Sequence, residues 1–548
     1  MTPTSAMSTV RTGLGAGWLA APVAPAASML GSVQNGPPST GLQPLDWAVI
    51  GAYGLGLLAV GWFFSRRNRT AEDYLLGGRS MRASSVGLSL FATLFSTITY
   101  ISLPGEMIGK GPVILWSMVS IPIAYVVVGY ALIPCFMRLR VTSAYEILES
   151  RLGLGIRLAG AAMFLATRLL WMALIIHITS EKVIVSLMGW PASATPYVAA
   201  VIGVVTLVYT SMGGLRAVVL TDVIQSLILF AAAAASIVLI TVDMGGVGAW
   251  WPREWSPDWD HQPVFSTDPT RRVTVIGSIV FMTMWWICTA GSDQMAIQRY
   301  LATRDARTAR RMFLYSGLSN IFVTTLLGAL GLALLGFFRA HPERLGPGLS
   351  LTDGRSADLV FPYYIVHFMP PGITGLVIAG LLAAAMSSLS SGINSACSVI
   401  SVDFLQRFFP AGKAVHETDQ VRRIQWIAAA SGLAAVLLSS LMGQVTGNTM
   451  EVTVRTNHVF VAPLFGLFLL GLFVPFANGL GAACGALAGC LAAVVIAFWD
   501  KLTGGPTLSF QWISTVSLAV HLAVGLPVCW LTRQRPPAGS GAASADLR

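Results

Sequence analysis

Residues 87–111 read GLSLFATLFSTITYISLPGEMIGKG. The stretch is long enough to cross a bilayer, which takes about 20 predominantly apolar residues. It nevertheless carries Thr93, Ser96, Thr97, Thr99, Tyr100 and Ser102 ahead of Pro104-Gly105. Such polarity suits a helix broken at membrane depth, its freed carbonyls lining a cavity. Hydroxyls bonding back to the preceding turn would account for it as well. Position along the chain does not separate the two readings.

The rest of the chain supplies the setting. Of 548 residues 55% are hydrophobic and 11% charged, where soluble domains carry about a quarter charged. Mean hydropathy is +0.70, so lipid is the expected solvent. A net charge of +10 raises the question of nucleic acid, but the basic residues cluster in short loops between apolar spans, with no basic domain apart from them. None of the six cysteines forms a C-x-x-C pair, so neither a zinc site nor a disulfide framework is indicated.

Thirteen apolar spans follow Leu45. They run Leu45–Phe64, Ser85–Ile108, Val113–Phe136, Ile156–Leu187, Tyr197–Ser211, Val218–Ile240 and Val273–Ile297. The remaining six are Phe313–Phe338, Ile373–Phe404, Ile424–Met442, Val459–Phe476, Leu480–Trp499 and Trp512–Leu531. Spans this long are helices and not barrel strands. The expected class is therefore all-α and membrane-embedded, with residues 1–43 a disordered Ala/Pro/Gly/Ser-rich tail, 44–532 the transmembrane domain and 533–548 a cytoplasmic tail. Arg11 and the weakly apolar stretch after it faintly resemble a signal peptide interrupted by prolines; a mis-assigned start codon is the other reading.

Alternate loops hold 22 Lys and Arg on one side, among them Arg66, Arg138, Arg216, Arg299 and Arg423, against ten on the other. The positive-inside rule makes the first side cytoplasmic, with the N-terminus outside and the C-terminus inside an inner membrane. Trp250, Trp251, Trp255 and Trp259 sit in a long outer loop and suit an interfacial cap or lid. The tail after Leu531 is too short for a kinase or nucleotide-binding domain, and no G-x-x-x-x-G-K-[ST] loop occurs. Active transport would then draw on an ion gradient.

Three features carry candidate chemistry. In the ninth span, GLVIAGLLAAAMSSLSSGINSACSVISVDF (375–404), Ala384, Ser387, Ser388, Ser391 and Ser395 fall on one helix face. Hydroxyl and carbonyl oxygens can replace the water shell of a hard alkali cation, whereas small residues alone serve close helix packing, the commoner use. Asp222, near the start of the sixth span, is either a functional intramembrane acid or a first-turn acid complementing the helix dipole. Arg168 lies deep in the fourth span, too deep to snorkel, and wants a carboxylate, the protein's own or a solute's.

Taken together, these segments resemble the sodium:solute symporter family over nearly all of 45–531. The carrying motifs are TAEDYLLGGRS (70–80), TSAYEILESRLG (142–153) and YTSMGGLRAVVLTDVIQ (209–225). Further along are Asp293-Gln294 with QRYLATR (298–304), Phe361 through Ser395, and PLFGLFLLG (463–471) with NGLGAACG (478–485). The resemblance implies a LeuT-like fold: two inverted five-helix repeats, about 83–242 and 272–476, with one extra N-terminal and two extra C-terminal helices. It implies a sodium site of Ala92, Phe95 and Ala384 carbonyls with Ser387 and Ser388 hydroxyls, which reverses the packing preference for the stripe. It makes Asp222 a second sodium or sodium-release residue. By the same analogy Thr93, Ser96, Thr97 and Thr99 would line a solute cavity opposite Trp285, Trp286 and Thr289, with Arg168 as a further candidate. The sequence departs from sugar-carrying members, whose counterparts of Leu94 and Thr99 are amides. Arg168 and the hydroxyl-rich second span therefore lean toward a small carboxylate, such as a monocarboxylate or sialic acid.

The expected function is sodium-coupled symport of a small organic solute into the cytoplasm, with Na+ as the coupling ion and the bilayer and solute as partners. Nucleic acid is not expected as a partner; the sequence sets no oligomeric state. A transporter-fold sensor and a proton-coupled symporter are the alternatives. An enzyme ranks last, since no H-E-x-x-H or G-x-S-x-G motif occurs in the spans.

Overall fold

The computed structural model describes residues 41–533, apart from 140, 258, 260–262, 410–416 and 443–448. Most of the expected N-terminal tail and all but Arg533 of the expected C-terminal tail lie outside the described residues. Every regular element among the described residues is helical. Eleven helices are long and apolar enough to cross a membrane, twelve with one bent pair. Thirteen spans were expected. The expected fifth and sixth lie in one stretch, Thr195–Asp243, of 49 residues, as two helices joined across a kink. At 1.5 Å per residue that run is about 74 Å long, against roughly 30 Å for a bilayer core. It turns at Gly214 (φ 61°, ψ −167°), where a Cβ would also stand 2.8 Å from the Tyr74 carbonyl oxygen. Only glycine meets both demands.

The second span is broken. Ala83–Leu94 and Thr97–Gly109 meet at 68°, joined by extended Phe95 (φ −99°, ψ 112°) and Ser96 (φ −106°, ψ 165°). The break is not at Pro104, which lies inside the second half-helix, Thr97–Gly109. Gly331 of the eighth span packs on the Pro104 backbone there, where a Cβ would meet the Pro104 carbonyl at 2.8 Å, and such packing lets a membrane helix tolerate the missing N–H. Five spans later the seventh is broken too. Val275–Ser292 ends at extended Asp293 (φ −84°, ψ 124°), and Gln294–Leu301 continues beyond it. Discontinuous helices at corresponding places in two halves mark an inverted repeat.

The ninth span, Ile373–Val399 and its continuation to Phe408, is buried on all sides from Ala383 to Val399. The first span, Pro44–Ser65, packs against it. Asp46 Oδ1 accepts the Gly372 and Gly375 backbone N–H groups at 2.7 and 2.8 Å, satisfying donors that the ninth helix leaves open at its start. Of the four loop tryptophans two are buried. Trp250 donates to Thr241 Oγ1 (2.9 Å), and Trp259 donates to the Ile108 carbonyl (3.1 Å) at the C-terminal end of the second span. Trp251 and Trp255 stay exposed.

Candidate functional site

At the second-span break the helical ladder stops, and carbonyls near it must find other donors. The ninth span supplies them. Ser387 Oγ donates to the Ala92 carbonyl at 2.9 Å and to Ala384 at 3.2 Å. Ser388 Oγ lies 3.1 Å from the Thr93 carbonyl and 3.5 Å from that of Phe95. Ala92, Phe95, Ala384, Ser387 and Ser388 therefore converge, all buried. Their oxygens are neutral carbonyls and hydroxyls, a donor set that fits a hard monovalent cation and offers nothing soft. Hydroxyls can rotate their protons away, so the same oxygens can turn their lone pairs to an ion.

Behind this face lies a charged pair. Asp222 Oδ2 accepts from Ser89 Oγ (2.6 Å), Arg299 (3.1 Å) and Ser391 Oγ (3.4 Å). Arg299 also holds Ser89 Oγ (3.0 Å), Ser391 Oγ (2.5 Å) and the Met295 carbonyl (2.9 Å). Both charged side chains are fully buried. The sequence reading counted Arg299 among loop arginines. The structure instead seats it inside, on the short helix beyond the seventh-span break. Thr93 joins the network through Ser391 (2.7 Å). Asp222 Oδ1 has no hydrogen-bond partner in the protein.

A cavity of about 200 Å³ opens on the other side of the broken span. Ser96 and Thr99 line it from the second span, Trp285 and Trp286 from the seventh, and Trp171 from the fourth. Four other expected lining residues are elsewhere. Thr93 faces Ser391, and Thr97 donates to the Leu381 carbonyl (2.8 Å); both hydroxyls bind the two spans together. Thr289 is buried and outside the lining. Arg168 is ion-paired to Asp293, at the seventh-span break, and lies 4.6 Å over the Trp171 ring. Its carboxylate is the protein's own. Sequence reasoning missed Trp171, Asn320 and Asn457 in the lining, single residues on three helices with no periodic signal to connect them. An Asn in an apolar span was the one available clue.

Polar contacts close both ends of the molecule. On the arginine-rich side Arg157 bonds Asp403 (2.7 Å) and Glu149 (2.6 Å). There Gln294 also ties the seventh-span break to the Thr142 carbonyl and the Ala144 N–H at 3.0 and 2.8 Å. On the opposite side Glu106 meets Arg272 through both oxygens, at 2.6 and 3.1 Å.

Paired broken helices around buried oxygens, flanking a midspan cavity, define an ion-coupled transporter of inverted-repeat design. The family model described as "Sodium:solute symporter family" matches residues 74–489, and the chain belongs to that family. It is thus a multi-pass membrane protein and a sodium-coupled symporter of a small solute, not an enzyme. Among its relatives, the sodium/sialic acid symporter SiaT of Proteus mirabilis is 30% identical over 84% of this chain and 90% of its own length. The sodium/sialic acid symporter NanT of Aliivibrio fischeri is 29% identical over 88% and 92%. Sodium-coupled monocarboxylate transporter 1 of Mus musculus is 29% identical over 81% and 71%. A solved Na+-coupled sialic acid symporter, substrate-bound and outward-open, superposes with a TM-score of 0.74 at 25% identity, covering 89% of this chain and 98% of that one.

Proposed function

We propose that sodium binds at the Ala92, Phe95 and Ala384 carbonyls and the Ser387 and Ser388 hydroxyls, and that the solute binds in the adjoining tryptophan-lined cavity. The observation that carries this reading is the bridging of the second-span break by Ser387 and Ser388. An ion there ties the broken helix to the ninth and holds one face of the carrier open. Occupation orders Phe95, whose carbonyl belongs to the proposed ion site and which also lines the cavity, so each ligand tightens the other. Closure, followed by opening on the arginine-rich side, releases both. By the positive-inside rule that side is the cytoplasm, with the N-terminus outside and the membrane an inner one. Asp222, its Oδ1 unpartnered, serves as a second sodium contact or as a relay for sodium leaving the site.

One charge crossing 100 mV contributes about 2.3 kcal/mol. A tenfold sodium gradient adds about 1.4 kcal/mol. Together they support several-hundredfold accumulation of a neutral solute.

The test is the melting temperature of the purified protein across a sodium series, with potassium and choline as controls, for wild type and Ser388→Ala. Sodium-specific stabilisation that disappears in the variant supports the site. A well-folded wild type indifferent to sodium defeats it and brings proton coupling or sensing forward.

A further inference from the structure

We infer that the solute of this carrier is uncharged, held by stacking on tryptophan and by neutral hydrogen-bonding groups rather than by an ion pair. The inference rests on the cavity being the solute site and concerns what that site selects.

Charge comes first. Among the described lining residues there is no lysine or arginine. The single carboxylate, Glu106, has both oxygens on Arg272, so that corner is already neutralised. Arg168, the intramembrane cation that pointed toward a carboxylate solute, is paired with Asp293. His458, also in the lining, is engaged through Nδ1 with Ser514 Oγ (2.8 Å) and stacks on the Phe281 ring. An ionised carboxylate drawn out of water into this cavity would meet no lysine or arginine in the wall, and an unpaired buried charge is among the costliest things a protein can hold. A cationic solute fares no better. Glu106 is spent, and the Trp171 ring already carries the Arg168 guanidinium at 4.6 Å.

The second observation is what the lining offers. Its polar residues are neutral: Ser96, Thr99 and Ser102 from the second span, Asn320 and Thr324 from the eighth, and Asn457 from the eleventh. Hydroxyls and amides of this kind suit a solute that carries hydrogen-bond donors and acceptors without a full charge. The rings of Trp285 and Trp286, edge to face at 5.0 Å, offer it a flat or apolar face. Asn320 adds a second amide. Amides are absent at the second-span positions where sugar-carrying relatives have them, but here they arrive from the eighth and eleventh spans. The fitting class is a small neutral molecule, an amide, lactam, ester or polyol, with one weakly polar face.

An anion balanced directly by bound sodium is the competing account, because Phe95 is shared between the two sites. Matched probes separate the two. The full chain, purified in detergent, is titrated with lactate and lactamide, nicotinate and nicotinamide, and N-acetylneuraminate and its methyl ester, in sodium and in potassium. Tryptophan emission and melting temperature are the readouts. The expected result is that at least one uncharged member binds and that its acid partner binds at least about tenfold more weakly. Trp285→Leu, which removes one of the two rings, is expected to weaken that binding about tenfold; Asn320→Leu is the second variant should the first fail to give a cooperative melt. Acids binding as well as or better than their partners overturn the inference, as does a panel in which no uncharged member binds. Sodium alone is scored on the same samples, so loss of the sodium effect counts against the coupling and leaves the uncharged-solute result to stand or fall separately.

Discussion

The two sides of the broken second span face opposite kinds of chemistry. Toward the ninth span, hydroxyls and carbonyls bond across: Ser387 and Ser388 reach the Ala92 and Thr93 carbonyls, Thr93 meets Ser391, and Thr97 donates to the Leu381 carbonyl. On the other side, Ser96 and Thr99 line a cavity with Trp171, Trp285 and Trp286. The first region is built from backbone and one helix face, the second from residues on six spans. A small hard ion asks only for oxygens at the right spacing, which one helical stripe against a broken helix provides. A solute asks for a shape, and that takes contributions from far apart in the chain. In the proposed cycle, coupling comes from the two regions sharing one hinge, Phe95–Ser96.

The largest expected break in this arrangement is Arg299→Ala. It strips the guanidinium from a carboxylate that is fully buried and should cost about 3–5 kcal/mol, seen as a large fall in melting temperature. Replacing both partners, Asp222→Asn with Arg299→Gln, should recover much of that loss, because no lone charge remains. A double variant as unstable as the single one would mean that the pair stabilises beyond mutual neutralisation. Next comes Ser388→Ala, which removes one oxygen from the ion face. The sodium concentration for half-maximal stabilisation should rise tenfold or more, equivalent to about 1.4 kcal/mol.

Asp46→Ala sharpens the comparison from a distance. Asp46 touches neither region, yet it caps the helix that carries Ser387 and Ser388. Losing a cap costs about 0.5–2 kcal/mol, so a modest drop in melting temperature is expected, with a smaller weakening of sodium response than Ser388→Ala gives. An equal or greater weakening would move the first span into the ion site itself.

The smallest effect is one of pH profile. Asp358, before the ninth span, is buried against Gly105. Desolvation pushes its carboxyl up to about 7; Lys182 pulls it down, Glu106 pushes it up and Arg272 pulls it down, in decreasing order. The folded protein therefore holds this proton more tightly than the unfolded chain does. Its contribution to stability is present below the ordinary value of 3.8 and is lost as pH rises to about 7. Comparing melting temperatures of wild type and Asp358→Asn between those limits should show the wild type losing ground as pH rises. Parallel profiles would rule out the titration.

The hydroxyl face proposed for the ion was legible because it is local. Ala384, Ser387 and Ser388 recur at helical spacing within one span, and the polar run 93–102 announced an irregular second span. The exact break was not legible. Pro104 drew attention outward, while the chain turns at Phe95–Ser96, where no residue is a helix breaker and packing against the ninth span decides. Arg299 was read as a loop cation because its neighbours Arg304, Arg307 and Arg310 are. Nothing in the chain between 222 and 299 says that its guanidinium lies on Asp222.

Sequence by itself determined that this chain is a bundle of membrane-crossing helices with a hydroxyl stripe on the ninth, because burial in lipid and helical periodicity both act over a few turns. Only the tertiary structure decided which charges neutralise one another and which residues line the cavity. Arg168 met Asp293 rather than a solute, and Trp171, Trp286, Asn320 and Asn457 came together from four separate spans. Those outcomes are set by contacts between helices distant in the chain, for which no local pattern exists.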